Sequence, residues 1–327
     1  MATTPSVTAT VTTKAHSKTH SYDSAIAGSV SGLVTRALIS PIDVLKIRLQ
    51  LANFNSAPKH NLNFYQNGKI LANLSYTIFK DEGGTAFWKG NIPAEIMYVL
   101  YGASQFTCYS FLNDRFKGRE KNGNLKHLVL GSISGCFASL MTYPFDVLRT
   151  RFVANNSRSF FHLFKSINYI YKTEGLNGFY GGLKPTLYQV SLSTGISFLS
   201  YEYLNSNIDI NFINDNFNNN KLINQYISGF LAGFISKGTT FPLDLIKRRL
   251  QIKGSSNEVL LNNYTFITNK NSIYNQKSKM YHIIRDIVVR EGFKGLYRGF
   301  SMAVIKSAPT TALSFSIYEY CLRRLQA

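Results

Sequence analysis

A pattern that begins with proline occurs three times along the chain. It reads PIDVLKIRLQ from Pro41, PFDVLRTRFV from Pro144 and PLDLIKRRLQ from Pro242, and the prolines lie 103 and 98 residues apart. Self-similarity at a regular period indicates that a chain repeats one structural unit. We therefore predict three repeats, which follow a disordered tail at residues 1–21 and occupy residues 22–120, 121–218 and 219–327.

Two further patterns recur with each proline, and the first of them lies at a constant distance from it. A GxxxG pair precedes each proline and clears one helix face, so that a neighbouring backbone can approach closely. A second signature follows each proline, and it reads EGGTAFWKG from Glu82, EGLNGFYGG from Glu174 and EGFKGLYRG from Glu291. This order predicts, for each repeat, a first helix, a charged loop with a short helix, and a second helix.

The chain carries few charged side chains for its size. They make up 16% of its 327 residues, whereas soluble domains average about a quarter. Uncharged runs at 96–113, 128–145 and 185–201 approach the length of about 20 residues that crosses a bilayer. We predict an all-α membrane protein, with six transmembrane helices in a threefold pseudosymmetric bundle and three short helices. The long helices are expected near 22–51, 92–117, 125–154, 184–205, 222–253 and 301–325; six buried helices of a soluble protein are the alternative.

Composition narrows the classes of partner and of chemistry. The net charge of +19 favours an anionic partner, which is nucleic acid, anionic lipid or a small polyanion. The three cysteines lie far apart and the six histidines are scattered, so neither a disulfide framework nor a metal site is expected. No nucleophile–base pair is recognisable, so we expect no enzyme and no cofactor. A nucleic-acid-binding protein is disfavoured, because the bases concentrate at predicted helix ends and loops rather than among aromatic residues.

Each proline pattern places an acid and a base three residues apart, near one face of a helix. A proline inside the helix is expected to kink it and to turn its lower end toward a central axis. In a ring of three such ends, each acid meets the base of the next helix, and the neutral network forms a gate. The predicted gate residues are Asp43, Lys46, Asp146, Arg149, Asp244 and Lys247, and the predicted kinks are at Pro41, Pro144 and Pro242. Ordinary ion pairs at a membrane surface are the alternative interpretation.

Glutamine follows two of the three prolines at the same spacing. Gln50 and Gln251 lie nine residues after their prolines and are predicted to brace an acid–base pair by hydrogen bonds. Val153 occupies this place in the second repeat. One brace is therefore expected to be missing.

The pattern Px[DE]xx[KR]xxxQ in three copies resembles the mitochondrial carrier family, over nearly the whole chain from residue 22. The resemblance implies that the termini face the intermembrane space and that the charge network is a gate on the matrix side. It also implies that the [FWY][KR]G stretches help to hold cardiolipin at helix N-termini. The lipid-binding residues so implied are Trp88, Lys89, Gly90, Tyr297, Arg298 and Gly299.

The resemblance further implies a second, cytoplasmic gate built on [FY][DE]xx[KR] motifs of the even-numbered helices. The match here is poor, because two acids remain and the expected cations are absent. We therefore predict a weak cytoplasmic gate and a resting preference for the state open to the cytoplasm. The residues concerned are Tyr109, Tyr201, Glu202, Tyr318 and Glu319.

Three cations interrupt the predicted spans. Arg36 and Lys237 both lie five residues before a proline and so at equivalent depths, where the second repeat has Ser139; Lys306 lies near mid-depth on the last helix. A lone cation inside a membrane costs about 2.5–3.5 kcal/mol, so three of them favour a bound polyanion. Snorkelling, or pairing with a carboxylate such as Glu95, is the alternative interpretation.

The remaining candidate contacts are aromatic, small or polar. Tyr98 and Tyr101 are placed to stack on a ring, and Thr194 lies on a polar stripe of the fourth long helix. The family resemblance implies contact positions at Tyr98, Val190 and Ser307. The residues themselves predict a phosphorylated, ring-bearing anion as cargo.

Three stretches carry a closer resemblance within the family. FWKGNIP, YVLYGASQF and YPFDVLRTRFVANN are similar to the fungal branch that carries thiamine pyrophosphate. That resemblance implies a protein of the mitochondrial inner membrane that takes thiamine pyrophosphate into the matrix, in exchange for a nucleotide or thiamine monophosphate. Arg36, Lys237 and Lys306 are then expected to meet the pyrophosphate, and Glu95 to face the cationic thiazolium. A functional monomer is expected because one chain holds the whole central path. A carrier of nucleotides or coenzyme A is the alternative.

Overall fold

The computed structural model describes residues 18–51, 64–116, 123–155, 163–207, 220–253 and 280–326. Within these residues the chain forms nine α-helices and no strand. The helices are α1 Lys18–Leu51, α2 Phe64–Glu82, α3 Asn91–Arg115, α4 Gly123–Ala154, α5 Leu163–Glu174, α6 Leu183–Asn207, α7 Asn220–Lys253, α8 Met280–Glu291 and α9 Phe300–Gln326. The predicted tail lies largely outside the described residues.

The six long helices follow the sequence prediction to within a few residues at each end. The three repeated prolines lie inside the continuous helices α1, α4 and α7. By length and hydropathy alone, one stretch of the described chain, Lys126–Ala154 within α4, is long and apolar enough to cross a membrane. Arg36, Lys237 and Lys306 lie within α1, α7 and α9 and lower the hydropathy of those helices.

The short elements explain the second repeated signature. In each repeat a short helix is followed by a 3-10 helix and then by a glycine with positive φ, at 77° for Gly90, 83° for Gly182 and 82° for Gly299. A Cβ on Gly90 would lie 2.9 Å from the Arg149 carbonyl oxygen, and one on Gly182 would lie 3.0 Å from that of Lys247. Glycine is therefore required both by the left-handed backbone and by the close approach of the next repeat's first helix.

The described chain divides into two compact units. Residues 18–38 and 308–326 form one, in which the Ser31 hydroxyl donates to the Ser314 carbonyl at 2.5 Å. Residues 39–307 form the other, in which α3 packs on α4, α4 on α6, and α6 on α7. In this larger unit the ends of α1, α4 and α7 meet around a buried apolar cluster, which consists of Val44, Ile47, Leu51, Val153, Ala154 and Ile252.

Candidate functional site

Three ion pairs join the ends of α1, α4 and α7 within the unit of residues 39–307. In each pair, an acid two residues after one proline meets a base five residues after another. The nitrogen–oxygen distances are 2.6 Å for Arg149 to Asp43, 2.8 Å for Lys247 to Asp146 and 2.8 Å for Lys46 to Asp244. Each acid thus meets a base of a different helix in the cyclic order that the spacing predicts, and we call these six residues the charge ring.

Aromatic rings cover two of the lysines of the charge ring. The Lys46 ammonium lies 5.7 Å from the centre of the Phe241 ring, and the Lys247 ammonium lies 5.8 Å from that of Tyr143. Both aromatics directly precede a repeated proline. Because the ring face is electronegative, it stabilises each cation in a place where little water reaches it.

Both glutamines reach the charge ring. The Gln50 amide donates to Asp244 at 3.1 Å, and the Gln251 amide donates to Asp146 at 2.8 Å. The oxygen of the Gln251 amide accepts from the Thr150 hydroxyl at 2.7 Å. Val153, in the third equivalent place, belongs to the apolar cluster instead.

The charge ring has two further cations that the prediction did not place there. Arg248 lies 3.0 Å from Asp146, and Lys306 forms an ion pair with Asp43. Within the described residues, five cations therefore face three carboxylates, a formal surplus of two positive charges. The expectation of a neutral network was wrong, because the long Lys306 side chain joins the ring from α9 and Arg248 joins it beside Lys247.

Several other residues predicted to contact cargo lie on α3, α6 and α7 of the unit formed by residues 39–307. Lys237 is exposed on α7, and among the residues the structure describes no hydrogen bond or ion pair reaches it. The Tyr101 hydroxyl lies beside Ser139, so two neutral side chains occupy the slot where the third repeat has Lys237. The polar stripe of α6 is partly satisfied internally, since the Thr194 hydroxyl donates to the Val190 carbonyl at 2.9 Å.

The remaining cargo candidates are Ser307, Tyr98, Glu95 and Arg36, and they differ in exposure. Ser307 is exposed on α9 and donates to the Val304 carbonyl at 2.6 Å. Tyr98 and Glu95 are half-buried on α3. Arg36 is half-buried in the unit formed by residues 18–38 and 308–326.

A second set of buried ion pairs lies beyond the ring. Arg48 makes a two-pronged ion pair with Glu82, with one contact of 2.7 Å, and Arg151 makes the same kind of pair with Glu174 at 2.9 and 2.7 Å. Lys89 adds a contact of 2.5 Å to Glu82. Burial raises the pKa of Glu82, but the hydrogen bonds and charges of Arg48 and Lys89 outweigh it and hold that pKa below its usual value.

Comparison with known proteins decides the family. The model of the family described as mitochondrial carrier protein matches the chain three times, at residues 17–120, 120–210 and 218–327. The chain belongs to this family. The three matches correspond to the three proline patterns, and membership makes this carrier a protein of mitochondrial membranes.

Curated relatives resemble this carrier over nearly its full length. Proteins named mitochondrial thiamine pyrophosphate carrier 1 are 36% identical in Scheffersomyces stipitis, over 93% of this chain and 91% of the relative, and 39% identical in Meyerozyma guilliermondii, over 91% and 92%. The protein of that name from Candida albicans is 36% identical over 91% of this chain and 90% of the relative.

The residues predicted for a cytoplasmic gate make one contact between two helices and one contact within a helix. The Tyr109 hydroxyl lies 2.7 Å from His127 Nδ1, and their rings stack with centroids 6.5 Å apart. Glu319 lies 3.6 Å from Arg323 on the same helix, and both are exposed. Tyr201 lines a shallow cavity between α6 and α7, Glu202 is exposed, and Tyr318 is half-buried.

The residues predicted to hold lipid differ in what they present. Trp88 and Tyr297 are 47% and 39% exposed, and Gly90 and Gly299 directly precede the helices α3 and α9. Lys89, however, is buried and directed at Glu82. Its ammonium therefore holds the protein together at this point. Arg298 is half-buried.

Sequence reasoning missed the arginine seven residues after each repeated proline, and it missed the pairing of Arg48 with Glu82 and of Arg151 with Glu174. The signal was present, because Arg48, Arg151 and Arg249 all lie seven residues after a repeated proline and a glutamate opens each copy of the second signature. The arginines are less conspicuous than the acid and the base nearest to each proline, because other basic residues stand beside them.

Proposed function

We propose that this carrier takes thiamine pyrophosphate into the mitochondrial matrix, in exchange for another phosphorylated solute, by alternating access around a single central site. The proposal includes an inner-membrane, multi-pass location and a functional monomer. The observation that carries it is the identity of 36–39%, over more than nine-tenths of the chain, to proteins that bear that cargo in their names.

The charge ring supports a gate at one end of the pathway. An acid and a base from each of three helices meet there, and each can exchange its partner for water when the helices part. In the proposed orientation this end faces the matrix, and the state with the ring closed is open to the cytoplasm. The local contact between Glu319 and Arg323 agrees with a weak cytoplasmic gate.

The surplus of positive charge supports an anionic cargo. Lys237 is exposed, and Lys306 approaches the ring from α9, so in the proposal both bind the pyrophosphate. Tyr98 and Tyr101 contact a ring, Val190, Thr194 and Ser307 line the site, and Glu95 faces the thiazolium. Cardiolipin binds at the starts of α3 and α9 through backbone N–H groups, which favour phosphate.

Transport by purified protein in liposomes tests the cargo. The expected result is saturable uptake of labelled thiamine pyrophosphate that requires an internal phosphorylated solute and is not shared by thiamine. Efficient transport of adenine nucleotides or coenzyme A without uptake of thiamine pyrophosphate would assign a different cargo to the same scaffold.

A binding variant tests the site. Lys237→Ala should abolish the rise in melting temperature that the cargo produces, because a ligand stabilises only the state that binds it. The matched control is Lys69→Ala, which removes an exposed cation on α2 and should leave the shift intact. An unchanged shift in Lys237→Ala would remove this lysine from the site.

A further inference from the structure

Three arginines connect the helix ends beyond the charge ring in a closed cycle. Each lies seven residues after a repeated proline, and its Nε donates to the carbonyl oxygen nine residues after a different proline. The distances are 3.0 Å from Arg48 to Val153, 3.1 Å from Arg151 to Gln251 and 3.5 Å from Arg249 to Gln50. The cycle runs from α1 to α4, from α4 to α7 and from α7 back to α1.

The acceptors explain why these bonds form. The last carbonyl groups of a helix have no partner within the helix and carry its partial negative charge. Arg48, Arg151 and Arg249 are all buried, between 3% and 6% exposed. Each therefore satisfies a buried carbonyl that would otherwise lack a partner, and in doing so joins two helices.

The terminal nitrogens of Arg48 and Arg151 explain how the bonds from their Nε atoms can be released. Guanidinium has five N–H donors in a fixed fork. Arg48 and Arg151 direct the fork at Glu82 and Glu174 of their own repeats, and the Nε of each reaches the next helix. Arg48 makes one further bond there, since its Nη2 also donates to the Asn155 carbonyl at 3.3 Å. When the helices separate, each of these charges stays paired with its glutamate and only hydrogen bonds to carbonyl groups are lost, so no buried ion is stranded.

We propose that Arg48, Arg151 and Arg249 form a main-chain latch, a second closure about one helical turn beyond the charge ring, which must open with the ring in each transport cycle. The latch rests on the proposed transport function. The arginines are positioning residues, since they set the distance between helix ends without contacting cargo.

The distance between the second and the third repeat shows whether the latch is open, and it can be measured without any cargo. Leu176 and Phe293 are 67% and 71% exposed, on 3-10 helices that pack on α4 and α7 respectively. Spin labels at cysteines in these two places, in a background lacking the native cysteines, report the separation of α4 from α7. Because no cargo is added, a failure of thiamine pyrophosphate uptake would not affect the result.

Arg151→Lys keeps a cation for Glu174 and removes the Nε donor. The population at longer distance should rise about two- to tenfold, the change expected from the loss of one net hydrogen bond. Glu174→Gln is the control, because it weakens the ion pair within the repeat and leaves the Nε bond to Gln251. It should lower the melting temperature and leave the distance distribution unchanged.

Arg249→Lys provides a second variant if Arg151→Lys does not fold. It removes the longest bond of the cycle and, because the three closures open together, should shift the same distance in the same direction by a smaller factor. The latch is refuted if folded arginine variants keep the wild-type distribution, or if Glu174→Gln shifts it as far as Arg151→Lys does.

Discussion

The α4–α7 junction and the α1–α4 junction contain the same kind of acid–base pair but are held by different chemistry. Between α4 and α7, Asp146 accepts from Gln251 at 2.8 Å and from Arg248 at 3.0 Å, and Thr150 donates to the same glutamine. This side is a connected polar network, in which the loss of one member leaves the others without partners.

Between α1 and α4 the glutamine is replaced by Val153. This valine packs in the apolar cluster with Val44, Ile47 and Leu51 of α1. Two hydrogen bonds lie at the edge of this apolar cluster. Lys89 and Arg48 both donate to the carbonyl of Asn155, at 3.1 and 3.3 Å.

The comparison shows that threefold repetition of the backbone does not require threefold repetition of side chains. A polar brace and an apolar contact close equivalent junctions, provided that the buried groups on each side are satisfied. The two junctions should therefore respond differently to the same substitutions.

The largest expected difference comes from removal of the acids. Asp146→Asn leaves Lys247 and Arg248 without a carboxylate and should lower the free energy of unfolding by about 3–5 kcal/mol. Asp43→Asn should have a smaller effect, because the Asp43 side chain is 14% exposed and that of Asp146 only 6%. Thermal unfolding of both proteins in detergent checks the order, and an equal or larger effect for Asp43→Asn would contradict it.

Exchange of the brace chemistry should have an intermediate effect. Gln251→Leu leaves Thr150 and Arg248 short of an acceptor, whereas Val153→Gln places an amide in an apolar cluster. Each should cost about 1–3 kcal/mol of unfolding free energy. Melting curves of the two variants decide the matter, since stabilisation by Val153→Gln would mean that the second repeat merely lacks a brace.

The extra bonds of the α1–α4 junction can be tested through pH. Lys89→Met removes a cation from Glu82 and a donor from Asn155, and should lower the unfolding free energy at neutral pH by about 1.5 kcal/mol. Because the folded pKa of Glu82 lies below its usual 4.5, the stability that its ionised form adds is complete above that value and is lost as pH falls through the folded pKa. The melting temperatures of the wild-type protein and of Lys89→Met should therefore approach each other as the pH falls. A difference that stays constant with pH would show that Lys89 acts independently of Glu82.

The smallest change in stability is expected from Arg323→Gln, and it serves as the reference for the other substitutions. Arg323→Gln breaks an exposed pair on one helix and should change stability by about 0.3–0.5 kcal/mol at most. A loss as large as that of Gln251→Leu would mean that Glu319 and Arg323 contribute to a real cytoplasmic gate.

Much of the fold and the ring was predictable from sequence, because repetition turns weak signals into strong ones. Asp43, Asp146 and Asp244 stand at one register, and their partners followed from the cyclic order of three equal helices. Features that break the repeat were not predictable. Lys306 joins the ring, although no register position relates it to Asp43, and Val153 became meaningful only when the apolar cluster around it was known.

The claim that opposite charges on neighbouring helix ends close a transport pathway is tested most directly by a charge exchange. The pair Lys46 and Asp244 suits it, because among the ion pairs of the ring described here no second cation contacts Asp244. Exchange of thiamine pyrophosphate in liposomes should fall at least about tenfold in Lys46→Asp and in Asp244→Lys, as expected when like charges oppose each other. The double variant should recover most of the lost rate. A double variant that folds and yet transports no better than either single one would contradict the account.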